Sequence, residues 1–256
     1  MLKLIKISVA CFYTLITISS VFAAGEAVRL DSFPSKRLNN LASLQNGAKL
    51  YMNYCVGCHS ISQVRYSRLT DLGIKSDQIK KFLLLTDGAS LSNTVISSMK
   101  KEDAKNWFGK APPDLSLTAR SRSSPNGPGS DWIYTYLRGY YKDESQPTGW
   151  NNTVYPGVGM PNVLWELQGI NKAVYTEKME NGTMVSSFDK FVIEEPGRMS
   201  RVEFDENIAD LTAFLVWVAE PVGQFRKQLG VWVLLFLGLF AFVAWRLNAA
   251  YWKDIK

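Results

Sequence analysis

The chain has 256 residues, 46% hydrophobic and 20% charged, which excludes a wholly disordered polypeptide. Its formal charge is +6, yet residues 24–225 carry 22 Lys and Arg against 22 Asp and Glu; the basic excess sits at the ends, where a membrane is met, and a basic nucleic-acid face is excluded. One histidine, His59, and three cysteines, Cys11, Cys55 and Cys58, exclude a site with two imidazoles and a disulfide-dense scaffold.

The N-terminus opens with Lys3 and Lys6, a short apolar run over 7–18, and the small residues of Ser19-Ser20-Val21-Phe22-Ala23. This predicts a cleaved secretory leader over 1–23, whose removal takes Cys11 with it. An exported domain over 24–225 follows. Within it, Leu41, Leu44, Ala48 and Tyr51 recur at three- and four-residue steps, which predicts a helix over 38–54. Gly47 is small enough to let another helix cross closely. Two further helices are expected over 76–85 and 91–100. Residues 109–130 hold four prolines and read as loop. Asp131 is placed to cap a helix through Trp132, Tyr136 and Leu137.

Residues 142–163 read as loop, and 172–202 as a small ribbon. Residues 203–219 form an amphipathic helix with Phe204, Ile208, Leu211, Leu215 and Val218 on one face, and Pro221 ends it. Residues 229–245 carry no charge. About 20 residues rising ~1.5 Å each cross a ~30 Å hydrocarbon core. A single transmembrane anchor is therefore expected over 226–252, with a cytoplasmic tail over 253–256. Trp232, Trp245, Tyr251 and Trp252 suit the two interfaces. The fold class expected is all-α, with long inserted loops and one C-terminal span.

The chemistry is concentrated in Cys55-Val56-Gly57-Cys58-His59, the c-type haem attachment pattern. Two thiols at this spacing can add to the vinyl groups of one haem, and the adjacent His59 supplies the proximal nitrogen. Structural zinc needs four ligands, and the mature chain has only three such residues. A thioredoxin-like dithiol needs a βαβ setting, and here a helix precedes.

A second axial ligand has to be something other than His, and Met suits an electron-transfer haem. Of Met52, Met99, Met160, Met179, Met184 and Met199, the first lies too near the proximal side and Met99 reads as core. Met160 sits in Tyr155-Pro156-Gly157-Val158-Gly159-Met160-Pro161, a loop able to approach a flat macrocycle. It is the expected sixth ligand, with Met199 second. Arg120 and Arg122 are candidates for the haem propionates. A carbonyl of the Pro112–Pro113 turn can accept the His59 Nδ1 proton and fix the ring. Trp107 and Phe108 either wall the haem or fill core.

Assembled, these pieces resemble the cytochrome c1 family in its bacterial form. The resemblance lies in LQNGAKLYMNYCVGCHS (44–60), NWFGKAPPDLSLTARSR (106–122), DWIYTYLRGYY (131–141), YPGVGMPNVLWELQG (155–169) and DLTAFLVWVAEP (210–221). The Ala111–Ser116 piece and the Ala219-Glu220-Pro221 end are its most specific parts. The resemblance implies haem c bound through Cys55 and Cys58, with His59 and Met160 on the iron, Arg120 at a propionate and Pro113 behind the histidine. It implies electron transfer from a Rieske iron–sulfur protein to a cytochrome c, within a ubiquinol–cytochrome c oxidoreductase. Cytochrome b carries out quinol oxidation there, and the haem domain lies on the periplasmic side of the bacterial inner membrane. Two other classes fit the motif alone: a free-standing tethered c-type cytochrome, and a haem enzyme or gas sensor with an open sixth position.

Overall fold

A computed structural model describes residues 29–84, 88–180 and 183–253. The expected leader, Cys11, the Asn181-Gly182 turn and tail residues 254–256 lie outside the described residues. In chain order the helices are α1 (Leu41–Leu50), α2 (Ser76–Phe82), α3 (Lys101–Phe108), α4 (Thr118–Ser121), α5 (Gly129–Arg138), α6 (Trp165–Gln168), α7 (Arg201–Ala219) and α8 (Gly223–Tyr251). The strands are β1 (Ile61–Arg65), β2 (Thr94–Val95), β3 (Tyr140–Lys142), β4 (Trp150–Asn152), β5 (Gly169–Glu180) and β6 (Thr183–Pro196). Each strand pairs antiparallel with its successor, β1 with β2, β3 with β4 and β5 with β6. Helix dominates, as the expected class requires, and the ribbons are additions to it.

The core forms where α1 crosses α7. Asn40 Oδ1 accepts the amides of Ala42 at 3.0 Å and Ser43 at 3.3 Å and so starts α1. The expected single helix over 38–54 is thereby divided. A 3-10 turn (Ser35–Asn39) precedes the extended Asn40, and a π turn (Tyr51–Cys55) follows α1. At the crossing, a Cβ on Gly47 would lie 2.1 Å from the Asp210 carbonyl oxygen and 2.7 Å from Phe214 Cβ. Only glycine permits this approach. Tyr51, Ile208, Leu211 and Phe214 fill the crossing. The buried Asp210 carboxylate is satisfied by Arg37 at 2.7 Å and Asn46 at 2.9 Å.

α5 packs against α7 through Arg138, which holds Asp205 with two hydrogen bonds at 2.6 and 2.8 Å. Its third contact, to Asp31 at 2.7 Å, secures the first described segment. α5 begins earlier than expected, with Pro128 as its cap. Asp131 instead accepts the Phe33 amide at 3.0 Å. The expected helix over 91–100 does not form. Val95 pairs with Ile61 across β1 and β2, and both side chains are fully buried; a helix would turn Val95 out of that contact. The helix lies further on, as α3, with Ala104 its one buried side chain. Met99, expected as helical core, is half-buried in the connecting bend. The ribbon expected over 172–202 is a hairpin of 12- and 14-residue strands starting at Gly169.

α7 starts at the Ser200 cap, whose Oγ accepts the Glu203 amide at 3.3 Å, and ends at Ala219. α8 then runs for 29 residues with Gly223 as its one buried position. It is long and apolar enough to cross a membrane.

Candidate functional site

The Cys55–His59 segment is wound tightly onto the end of the π turn. The Val56 amide donates to the Tyr51 carbonyl at 3.0 Å, and the His59 amide to the Cys55 carbonyl at 2.8 Å. Cys55 is buried and Cys58 half-buried, and the two are not joined to each other in a disulfide. Ser97 pins the turn from outside, its hydroxyl donating to the Gly57 carbonyl at 2.7 Å. The Tyr51 hydroxyl donates to the His59 carbonyl at 2.6 Å.

The His59 ring is buried, and its Nδ1 lies 2.7 Å from the Pro113 carbonyl oxygen. A carbonyl can only accept, so Nδ1 carries the proton and Nε2 keeps a free lone pair. The Pro113 turn is itself laced to the segment after His59. Asp114 Oδ2 accepts the Ser62 amide at 2.9 Å and its Oδ1 the Ser116 amide at 2.8 Å. The Leu115 amide donates to the Ser60 carbonyl at 2.8 Å. The Gln63 amide donates to the Ser116 hydroxyl oxygen at 3.1 Å, so the ring is held by a strap with three cross-links to that segment, and the Asp114–Ser116 bond closes a turn within the strap.

Burial sets the protonation states here. It pushes the Cys55 thiol up to about 12, with Cys58 adding to the effect, and it raises Cys58 as well. It lowers the His59 pKa against the opposing pull of the Pro113 hydrogen bond and the Asp114 charge. At neutral pH the site presents two thiols and a neutral imidazole. The Asp114 carboxyl, raised by burial but lowered more by its Ser116 and Ser62 hydrogen bonds, stays below the usual carboxylate range.

Met160 belongs to a loop shaped by three asparagines. Asn151 Oδ1 accepts the Gly157 amide at 2.9 Å, and Asn152 Oδ1 the Val154 amide at 2.9 Å. Asn162 Oδ1 accepts the Leu164 amide at 3.1 Å. Asn152 is fully buried and donates to the Tyr136 carbonyl at 2.8 Å, which ties the loop to α5. The half-buried Met160 has its Sδ 3.5 Å from the Tyr136 hydroxyl. Gly159 lies beside the end of α3, with the Phe108 carbonyl 4.0 Å from where a Cβ would stand.

Of the other candidates, Arg120 is exposed on α4, and among the described residues no acidic side chain pairs with it. Arg122 lies over the Trp132 ring, 4.3 Å from its centroid. Trp107 is 66% exposed and Phe108 37%, so neither fills core. Met199 lines a separate cavity of 140 Å³ with Arg138, Asn171, Phe204 and Asp205, and Met52 is buried in the π turn. Sequence reasoning passed over Asp114, Tyr51, Tyr136 and Tyr140. Tyr136 stood on the expected helix through Trp132 and Leu137, but Tyr140 begins β3 and helical spacing does not account for their pairing. The residues fit a haem c: two cysteines at attachment spacing for the vinyl groups, and for the iron one neutral imidazole nitrogen and a soft thioether on a separate loop.

The model of the Cytochrome C1 family matches residues 35–255. The chain is 41% identical to a cytochrome c1 of Allochromatium vinosum, over 95% of this chain and 96% of that one. It is 30% identical to a cytochrome c1 of Rhodospirillum rubrum, over 83% and 82%. It is also 39% identical to a Nitrosomonas europaea protein named ammonia monooxygenase gamma subunit, over 91% and 92%.

Proposed function

The chain belongs to the cytochrome c1 family, whose members transfer electrons by haem in the bc1 complex, and from that premise we propose how its own residues divide the work. Cys55 and Cys58 form the two thioethers. His59 presents Nε2 to the iron, and the Pro113 carbonyl fixes its ring. Met160 supplies the second axial ligand, and Arg120 neutralises a propionate. The bound haem c supplies a one-electron couple, whose potential is set by its ligands and its burial.

The electron donor is a Rieske iron–sulfur protein and the acceptor a cytochrome c, while cytochrome b oxidises ubiquinol. Residues 24–225 form the periplasmic haem domain, 226–252 the anchor and 253–256 the cytoplasmic tail. The observation that carries this reading is the His59 Nδ1 contact to Pro113 at 2.7 Å, directly after two cysteines at attachment spacing. It orients an imidazole as a ligand needs.

Met160→Leu keeps size and apolarity, so its packing cost stays below about 1.5 kcal/mol. The expected result in a redox titration is a midpoint potential lower by about 100 mV, with new carbon monoxide binding. Met199→Leu leaves both unchanged. A wild-type potential in Met160→Leu together with a lowered one in Met199→Leu would reverse the ligand assignment. A wild-type protein that already binds carbon monoxide readily would favour the open-site class instead.

A further inference from the structure

Two phenol protons face three contacts around Met160. Tyr136 Oη lies 3.5 Å from Met160 Sδ, the Tyr136 and Tyr140 hydroxyl oxygens lie 2.7 Å apart, and Tyr140 Oη lies 3.3 Å from the Met160 carbonyl oxygen. Each phenol donates one proton, so all three contacts are never hydrogen bonds at once. Two oxygens at 2.7 Å need a proton between them, because bare lone pairs at that distance repel. Two arrangements remain. In one, Tyr140 donates to Tyr136, and Tyr136 donates to the Met160 sulfur. In the other, Tyr136 donates to Tyr140, Tyr140 donates to the Met160 carbonyl, and the sulfur accepts nothing.

Neither ring is free to leave. Tyr140 is 1% exposed. Tyr136 is stacked on Trp132, with centroids 4.7 Å apart and planes 12° from parallel, and Arg122 lies over Trp132 in turn. Its backbone carbonyl is held by the buried Asn152.

We propose that the Tyr136–Tyr140 pair positions and tunes the Met160 thioether, the two arrangements exchanging so that the sulfur accepts the Tyr136 proton for part of the time. This rests on Met160 being the iron ligand. A sulfur with one lone pair on a metal keeps another for a donor. Donation by Tyr136 draws electron density from the sulfur and favours the reduced couple, as outer hydrogen bonds to metal ligands do.

The test uses the full-length holoprotein in detergent, with midpoint potential and the ferric thioether–iron absorption band as readouts. Tyr136→Phe removes the donor. The band is kept and the equilibrium constant for reduction falls about threefold, which is ~30 mV at ~59 mV per tenfold. Tyr140→Phe leaves Tyr136 only the sulfur to donate to. The constant then stays level or rises by up to about twofold. An unchanged potential in Tyr136→Phe overturns the proposal. Equal falls in both variants also overturn it, since they would report packing. Met160→Leu separates the two levels. If it abolishes the band while both tyrosine variants keep the wild-type potential, the ligand reading stands and the tyrosine proposal fails. If the band survives Met160→Leu, the ligand reading fails and takes the proposal with it.

Discussion

Asp114 shows how one side chain can govern the site without belonging to it. Its two oxygens hold the Ser62 and Ser116 amides, and the residue before it supplies the carbonyl that orients His59. Asp114→Ala removes two charge-assisted hydrogen bonds from an exposed position, an expected loss of about 1–2 kcal/mol. Thermal unfolding of the holoprotein measures it. The pH dependence has a definite sign. Burial raises the Asp114 carboxyl, but its hydrogen bonds lower it more, and the net shift is downward. Its stabilisation is complete above the unfolded value of about 4 and is lost as pH falls through the depressed folded value. Asp114→Asn should therefore flatten the acid limb of the stability curve. An unchanged acid limb would mean the carboxylate does not hold the strap. That an acid here would secure the ring was not legible in the sequence, because its contact to Ser62 joins residues 52 apart. The attachment pattern and the Pro113 acceptor were legible, because adjacency and backbone chemistry are enough to state them.

Among the elements, the α1–α7 crossing carries the domain. Gly47→Ala gains about 1 kcal/mol in helix propensity, yet its new methyl would meet the Asp210 backbone at 2.1 Å. Backbone cannot swing aside as a flexible side chain can. The net expectation is a loss of about 2 kcal/mol or more, read as a fall in melting temperature of roughly 2–4 °C per kcal/mol. A rise in melting temperature would show that the helices do not meet there. This crossing was legible because a small residue stood on an otherwise regular apolar face. Residues 91–100 were misread for the converse reason. Leu91, Val95 and Met99 repeat at four-residue steps, but the pairing of Val95 with Ile61 decides the local structure. α3 left almost no periodic signal, since it buries only Ala104. The β5–β6 hairpin was foreseen as a ribbon but not at its length, because each strand is extended by the other and neither by an apolar alternation of its own.

The whole molecule joins a neutral folded domain to an apolar helix with basic flanks. α8 buries only Gly223, and the Glu220–Arg226 ion pair at 2.5 Å marks the junction. A chain ended after Lys227 should be soluble without detergent and keep its haem and its melting temperature, losing only membrane anchoring and assembly. A truncated protein that reaches the periplasm yet holds no haem would show the domain boundary is misplaced. The central assignment is covalent haem attachment at Cys55 and Cys58. The most direct test is haem retention after denaturation of the full-length protein. Haem should stay with the wild-type polypeptide in a denaturing gel, and Cys55→Ser or Cys58→Ser should weaken or abolish that retention. Complete removal of haem from the wild-type chain by acid acetone would contradict the account.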